Sequence, residues 1–122
     1  MKRGVQVVAI LAALVAMLFV QPGKLASHGT ADEVRLDQNY PNPFNGTTEI
    51  KYQIPRAGHV QLSVYNMLGQ EIQGLVDQDE GANEYRIRFD GNNLPSGQYT
   101  YRMIYEADGN ITKLSHKMYL VK

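Results

Sequence analysis

From Thr48 to Ile54 apolar and polar positions alternate strictly, and Pro55 stops the run. Ile50, Tyr52 and Ile54 fall on one side and Glu49, Lys51 and Gln53 on the other, the period-two signature of a half-buried strand. Val60, Leu62 and Val64 repeat the pattern against Gln61, Ser63 and Tyr65. Met67-Leu68-Gly69 predicts a turn, with Gly69 supplying a positive φ. In Glu71 to Val76 the apolar residues Ile72 and Leu75 are three apart, which predicts a bulge at Gly74. Asp77 to Gly81 reads as a polar loop. Tyr85, Ile87 and Phe89 then alternate with Glu84, Arg86, Arg88 and Asp90, the cleanest strand in the chain. Gly91 to Gly97 is a turn-rich connection. Tyr99, Tyr101, Met103 and Tyr105 define the next strand, Asp108-Gly109 a hairpin turn, and Ile111 to Val121 the last strand. The pattern gives six clear strands and a candidate seventh over Leu36 to Tyr40. Their spacing predicts an all-β fold, an antiparallel β-sandwich or barrel. The expected inward set is Ile50, Tyr52, Ile54, Val60, Leu62, Val64, Ile72, Leu75, Tyr85, Ile87, Phe89, Leu94, Tyr99, Tyr101, Met103, Met118 and Leu120.

The N-terminus follows different rules. Met1-Lys2-Arg3 precedes an unbroken apolar run, Val7 to Val20, and Gln21-Pro22-Gly23-Lys24 ends it. A basic start, a short apolar helix, a breaker and then small residues form the order of a secretory signal peptide. The run is shorter than the ~20 apolar residues of a membrane span. Residues 1–26 are therefore expected to be a signal peptide, with an uncleaved anchor as the alternative, and residues 27–35 a flexible leader before a domain over residues 36–122.

The chain has 122 residues with 12 basic and 12 acidic side chains, which argues against nucleic-acid binding through a basic face. Residues 27–122 keep nine basic and twelve acidic groups, a net charge of −3. Cys is absent, which excludes disulfides, thiol nucleophiles and cysteine-ligated metals. His28, His59 and His116 fall in three different elements, and Ser63 and Ser96 in a strand and a turn. No nucleophile–base arrangement follows from that spacing, and neither enzymatic activity nor a cofactor is expected. Asp77-x-Asp79-x-Gly81 could offer oxygens to calcium, but it lacks the spacing of a calcium loop. A solvated hairpin loop is the expected reading, and no metal site is predicted. Asn45-Gly46-Thr47 and Asn110-Ile111-Thr112 match the glycosylation triplet at turns where Asn is expected anyway.

Asn39-Tyr40-Pro41-Asn42-Pro43-Phe44-Asn45 stands apart. Two prolines one residue apart hold the chain extended, and Tyr40 and Phe44 are placed to pin it onto a sheet edge or sandwich end. After the carboxylate of Asp108, Lys113, Lys117 and Lys122 are the only charged side chains. Lys113 and Lys117 share one strand face, and Lys122 falls one step out of phase, beyond the strand end. A solvated strand face explains these lysines equally well.

Four segments carry a resemblance. YPNPFNGTTEIKY, from Tyr40, Pro41, Asn42, Pro43 and Phe44 onward, VQLSVYNMLGQEI around Gly69, LPSGQYTYRM with Gly97, Tyr99 and Tyr101, and the terminal KMYLVK occur in one order. Together, Leu36 to Lys122 resembles the type A C-terminal sorting domain of the type IX secretion system of Bacteroidetes and related phyla. The resemblance implies an Ig-like β-sandwich that is exported to the periplasm and then recognised by outer-membrane secretion machinery for delivery to the cell surface or beyond. It also implies a sortase-like peptidase as partner, and Lys117, Met118, Leu120 and Lys122 as the part the machinery reads. Met118 and Leu120 are expected to anchor the strand while Lys117 and Lys122 face out. The chain is expected to be monomeric, without a small-molecule substrate. Residues 27–35 leave little room for cargo, so a truncated cargo protein, a standalone module and a very small secreted protein stay open. The competing reading is a structural or adhesive Ig-like module that binds a protein or glycan.

Overall fold

The structure, a computed structural model, describes residues 33–122. The apolar run and the expected processing site lie outside the described residues. Seven strands follow in order: β1 Arg35–Leu36, β2 Thr47–Ile54, β3 Gly58–Tyr65, β4 Glu71–Glu80, β5 Asn83–Asp90, β6 Gly97–Ala107 and β7 Asn110–Leu120. They form two antiparallel sheets, β1-β2-β5 and β4-β3-β6-β7, so the expected seven-stranded β-sandwich is observed.

The core is built by alternation. β2 turns Thr48, Ile50, Tyr52 and Ile54 inward, β3 Val60, Leu62 and Val64, and β6 Tyr99, Tyr101, Met103 and Tyr105. A buried Tyr must satisfy its hydroxyl, since an unpaired buried polar group is costly. Here the hydroxyls reach the rim: Tyr101 donates to the Asp37 carbonyl at 2.5 Å, Tyr105 to the Arg56 carbonyl at 2.7 Å, and Tyr99 to the Pro95 carbonyl at 2.7 Å. Tyr52 donates to the Glu80 carboxylate at 2.5 Å, which ties the two sheets together on the β4–β5 flank. Burial, and for Tyr52 the adjacent Glu80, pushes the ionisation of Tyr101 and Tyr52 well above the usual phenol range.

The core differs from the sequence expectation in a regular way. Ile72, Leu75, Tyr85, Ile87 and Leu94 pack against it but are only half-buried. Tyr85 and Ile87 lie on β5, the edge strand of the narrower sheet, where the fourth strand of the facing sheet has no counterpart. Leu36, Phe44, Val76 and Tyr105 complete the core instead. β4 carries two bulges rather than one at Gly74. Leu62 pairs with Val76 but Ser63 with Gly74, so Leu75 is the extra residue; Val64 pairs with Gln73 but Tyr65 with Glu71, so Ile72 is the second. Two insertions rather than one leave Val76 as the residue that faces in.

Asp77 to Glu80 is not a loop. It continues β4 and pairs with Gly58 to Gln61, because β3 offers an unused edge there, and only Gly81 and Ala82 turn the chain to β5. Gly58 is required by close approach: a Cβ there would lie 2.5 Å from the Glu106 carbonyl oxygen and 2.8 Å from the Tyr105 ring.

Candidate functional site

The candidate residues converge on one end of the sandwich. β7 turns Met118 and Leu120 into the core, at 0% and 1% exposure, and presents Lys113, Ser115, Lys117 and Tyr119 on the outer face of the four-stranded sheet. Gly97 pairs with Leu120 at the start of β6, and the row Tyr65, Thr100, Lys117 runs across three strands of the sheet. The turn carrying Gly69 follows Tyr65 directly and is held by Asn66, whose Oδ1 accepts from the backbone N–H of Leu68 at 2.9 Å and of Gln70 at 3.0 Å. Gly69 has φ +80, a conformation side chains with a Cβ resist.

β7 is the edge strand of its sheet, but half of that edge is covered. The Phe44 N–H donates to the Tyr119 carbonyl at 2.9 Å, and the Phe44 carbonyl accepts from the Val121 N–H at 2.9 Å. Asn42 Oδ1 accepts from the Tyr119 N–H at 3.0 Å, and Gln38 Nε2 donates to the Lys117 carbonyl at 2.8 Å. The Pro-rich segment is therefore an added partial strand that caps the closing strand from Lys117 to Val121. Its ring, Phe44, is buried against Phe89 and meets Gly91, where a Cβ would stand 3.1 Å from both the Phe44 ring and Leu120. A side chain at position 91 would require Phe44 and Leu120 to shift by a few tenths of an ångström.

Tyr40 does not pin the segment. It is 81% exposed, and the buried residue is its neighbour Asn39. Asn39 Nδ2 donates to the Pro41 carbonyl at 3.1 Å and to Thr48 Oγ1 at 3.0 Å, and Thr48 donates in turn to the Pro41 carbonyl at 2.8 Å. Tyr40 shares the strand-like alternation of this stretch through its bridge to Glu49, so only one of the two neighbours can face in. No sequence signal distinguished Asn39. Likewise, His116 was visible only as an isolated His, yet its Nε2–H donates to the Leu36 carbonyl at 2.7 Å and joins the two sheets.

The three lysines differ. Lys113 and Lys117 are exposed and make no ion pair among the described residues. Lys122 lies past the strand end, as the phase argument placed it. Its backbone N–H donates to Ser96 Oγ at 3.0 Å and its ammonium to the Asn92 carbonyl, so the terminus is tied to the β5–β6 connection. Tyr99 and Tyr101 are core residues that hold β6 beneath this surface.

Across the same outer face, on the edge away from β7, Asp77 and Asp79 flank His59. His59 Nδ1 meets Asp79 Oδ1 at 2.7 Å and Nε2 meets Asp77 Oδ1 at 2.7 Å. The two carboxylates that suggested calcium are thus engaged with an imidazole. Hydrogen bonds to Asp79 and then Asp77 raise the His59 pKa above its ordinary 6.5. A group whose folded pKa is raised contributes stability that is full below 6.5 and is lost as pH rises through the folded value. The thermal midpoint is expected to fall modestly across that window, the cluster being exposed. The variant His59→Gln should lose that segment of the pH profile. An unchanged profile in the variant would assign the dependence to another group.

The fold and this surface define an antiparallel β-sandwich module whose closing strand is held in place by the Pro-rich segment. A family model for the secretion system C-terminal sorting domain matches residues 38–122, and the chain belongs to that family. It therefore carries a type IX sorting signal, recognised by that secretion machinery, exported to the outer membrane or cell surface, and not itself catalytic. Among solved structures, dimeric latent PorU from Porphyromonas gingivalis is similar at TM-score 0.59 and 17% identity, over 74% of this chain and 10% of that chain. That likeness concerns the fold, and the chain spans about a tenth of that chain's length. No curated protein matches the sequence.

Proposed function

We propose that residues 36–122 act as one folded export signal whose readable part is the closing strand held in place by the Pro-rich segment. Residues 1–26 direct passage through the inner membrane and are removed, the leader expected over residues 27–35 ends before Arg35, which already pairs with Gln53 in β1, and the domain passes from the periplasm to the outer-membrane machinery. A sortase-like peptidase is the partner that acts after export. The protein as a whole has no enzymatic role in this reading. One observation carries it: Lys117 stands exposed, with no ion pair among the described residues, at the start of the stretch of β7 that is held from both sides, by β6 and by Asn42 to Phe44. A fixed backbone lets a partner read side chains without first ordering them. Met118 and Leu120 contribute by anchoring, and Lys122 by its tie to Asn92.

The test is a fusion of residues 33–122 behind a periplasmic reporter, in a bacterium with a working type IX system. Surface delivery is expected for the intact fusion. Lys117→Ala with Lys122→Ala should reduce delivery while the thermal midpoint stays near that of the parent, because exposed substitutions usually change stability by under ~0.5 kcal/mol. A fusion that remains in the periplasm in its intact form refutes the reading.

A further inference from the structure

The uncovered edges of the four-stranded sheet fit one another. On β7 the bonds from Tyr119 and Val121 to Phe44 and Asn42 show that odd-numbered residues turn their backbone groups away from β6. Ile111, Lys113 and Ser115 continue that phase, and no backbone partner lies on that side among the described residues. The alternation can be carried across the pairs Lys113–Ile104, Ile104–Gln61 and Gln61–Asp77. It leaves Asp77 and Asp79 with backbone groups pointing out from the far edge, on β4. Both open stretches therefore occupy the same rows of the sheet. The remaining rows are closed at each side, by Asn42 to Phe44 on β7 and by the two bulges on β4.

Direction and charge agree as well. The order β4-β3-β6-β7 is antiparallel throughout, so β4 of a second copy, added beyond β7 without inversion, runs antiparallel to it. In that register Lys113 lies opposite Asp77 of the second copy and Ile111 opposite Asp79. Both are hydrogen-bonded-type pairs, and Lys113 and Asp77 project from the same outer face. Opposite charges directly across an antiparallel pair stabilise it, and the incoming strand would cover Ile111, which is 60% exposed.

We propose that this domain associates with a second copy of itself, head to tail, by pairing the Ile111–Ser115 edge with the Asp77–Asp79 edge. Two different surfaces meet, so the contact does not close into a two-fold dimer but repeats along a row of copies. Only two residue pairs bond in each contact, which makes the association weak and dependent on concentration. It replaces the monomer expected from the sequence.

The absence of Cys in the natural chain allows a direct test on the full-length protein. Full-length Lys113→Cys and Asp77→Cys chains are oxidised separately and as an equal mixture. Both positions are exposed, so the fold is retained. The proposal expects a disulfide-linked pair containing one chain of each kind in the mixture, and little linkage in either variant alone. The added substitution Asp79→Lys on the Asp77→Cys chain leaves the linked thiol in place and should not abolish the pair. Lys113→Glu in the otherwise natural chain should abolish concentration-dependent association in sedimentation, and combining it with Asp77→Lys should restore it. Equal linkage in the separate and mixed samples, or no linkage in any, overturns the proposal, as does association insensitive to Lys113→Glu.

Discussion

Phe89→Ala is expected to destabilise the domain by ~3–5 kcal/mol, the range for removing a large side chain from a packed core. Phe89 has no exposed surface and meets the Phe44 ring edge-on, with centroids 6.1 Å apart and planes at 69°. It pairs across the sheet with Thr48, which bonds the Pro41 carbonyl, so the cavity would open beneath the whole Pro-rich segment. Small domains have only ~5–15 kcal/mol in total, and this one has no disulfide to offset the loss. Urea denaturation measures the effect directly. The paired variant Phe44→Ala should be less than additive with it, since both remove the same ring–ring contact. An unchanged denaturation midpoint for Phe89→Ala would place the side chain outside the core.

Deleting Lys117 to Lys122 is expected to abolish cooperative unfolding altogether. The deletion removes Met118 and Leu120, whose burial is worth ~1.5–3 kcal/mol each. It also strips Phe44 of both backbone partners and leaves Gly97 to Tyr99 unpaired on one side. Heating followed by circular dichroism should show a broad, shallow change in place of a transition. Loss of export in this deletion would then report loss of the fold, and only the lysine substitutions separate recognition from folding. A sharp transition in the deleted protein would show that the sandwich closes without its last strand.

Much of the fold was legible because strand burial has period two. Ile50, Tyr52 and Ile54, or Tyr99, Tyr101 and Met103, announce their inward face without knowledge of any partner strand. The phase of Lys113 against Lys117, and the displacement of Lys122, followed from the same rule. The Pro-rich segment was recognisable as unusual from Pro41 and Pro43 alone.

Other features depend on what lies across a gap in space, which no local pattern encodes. Whether Ile87 is fully or partly buried depends on β5 being the edge of a three-stranded sheet over a four-stranded one. Tyr40 and Asn39 are adjacent, and the larger apolar residue was the natural choice for the interior. Thr48 and the Pro41 carbonyl decide otherwise, because they give the Asn39 amide the partners that make its burial tolerable. Asp77 and Asp79 looked like loop residues until His59 and the β3 edge supplied a strand for them to join. The sequence by itself determined the all-β class, most of the core and the family, since those rest on local alternation and on motifs contiguous in the chain. Only the tertiary structure decided that the closing edge is half covered and half open, because covering it requires Gln38 to Phe44 to meet Lys117 to Val121 from the far end of the domain.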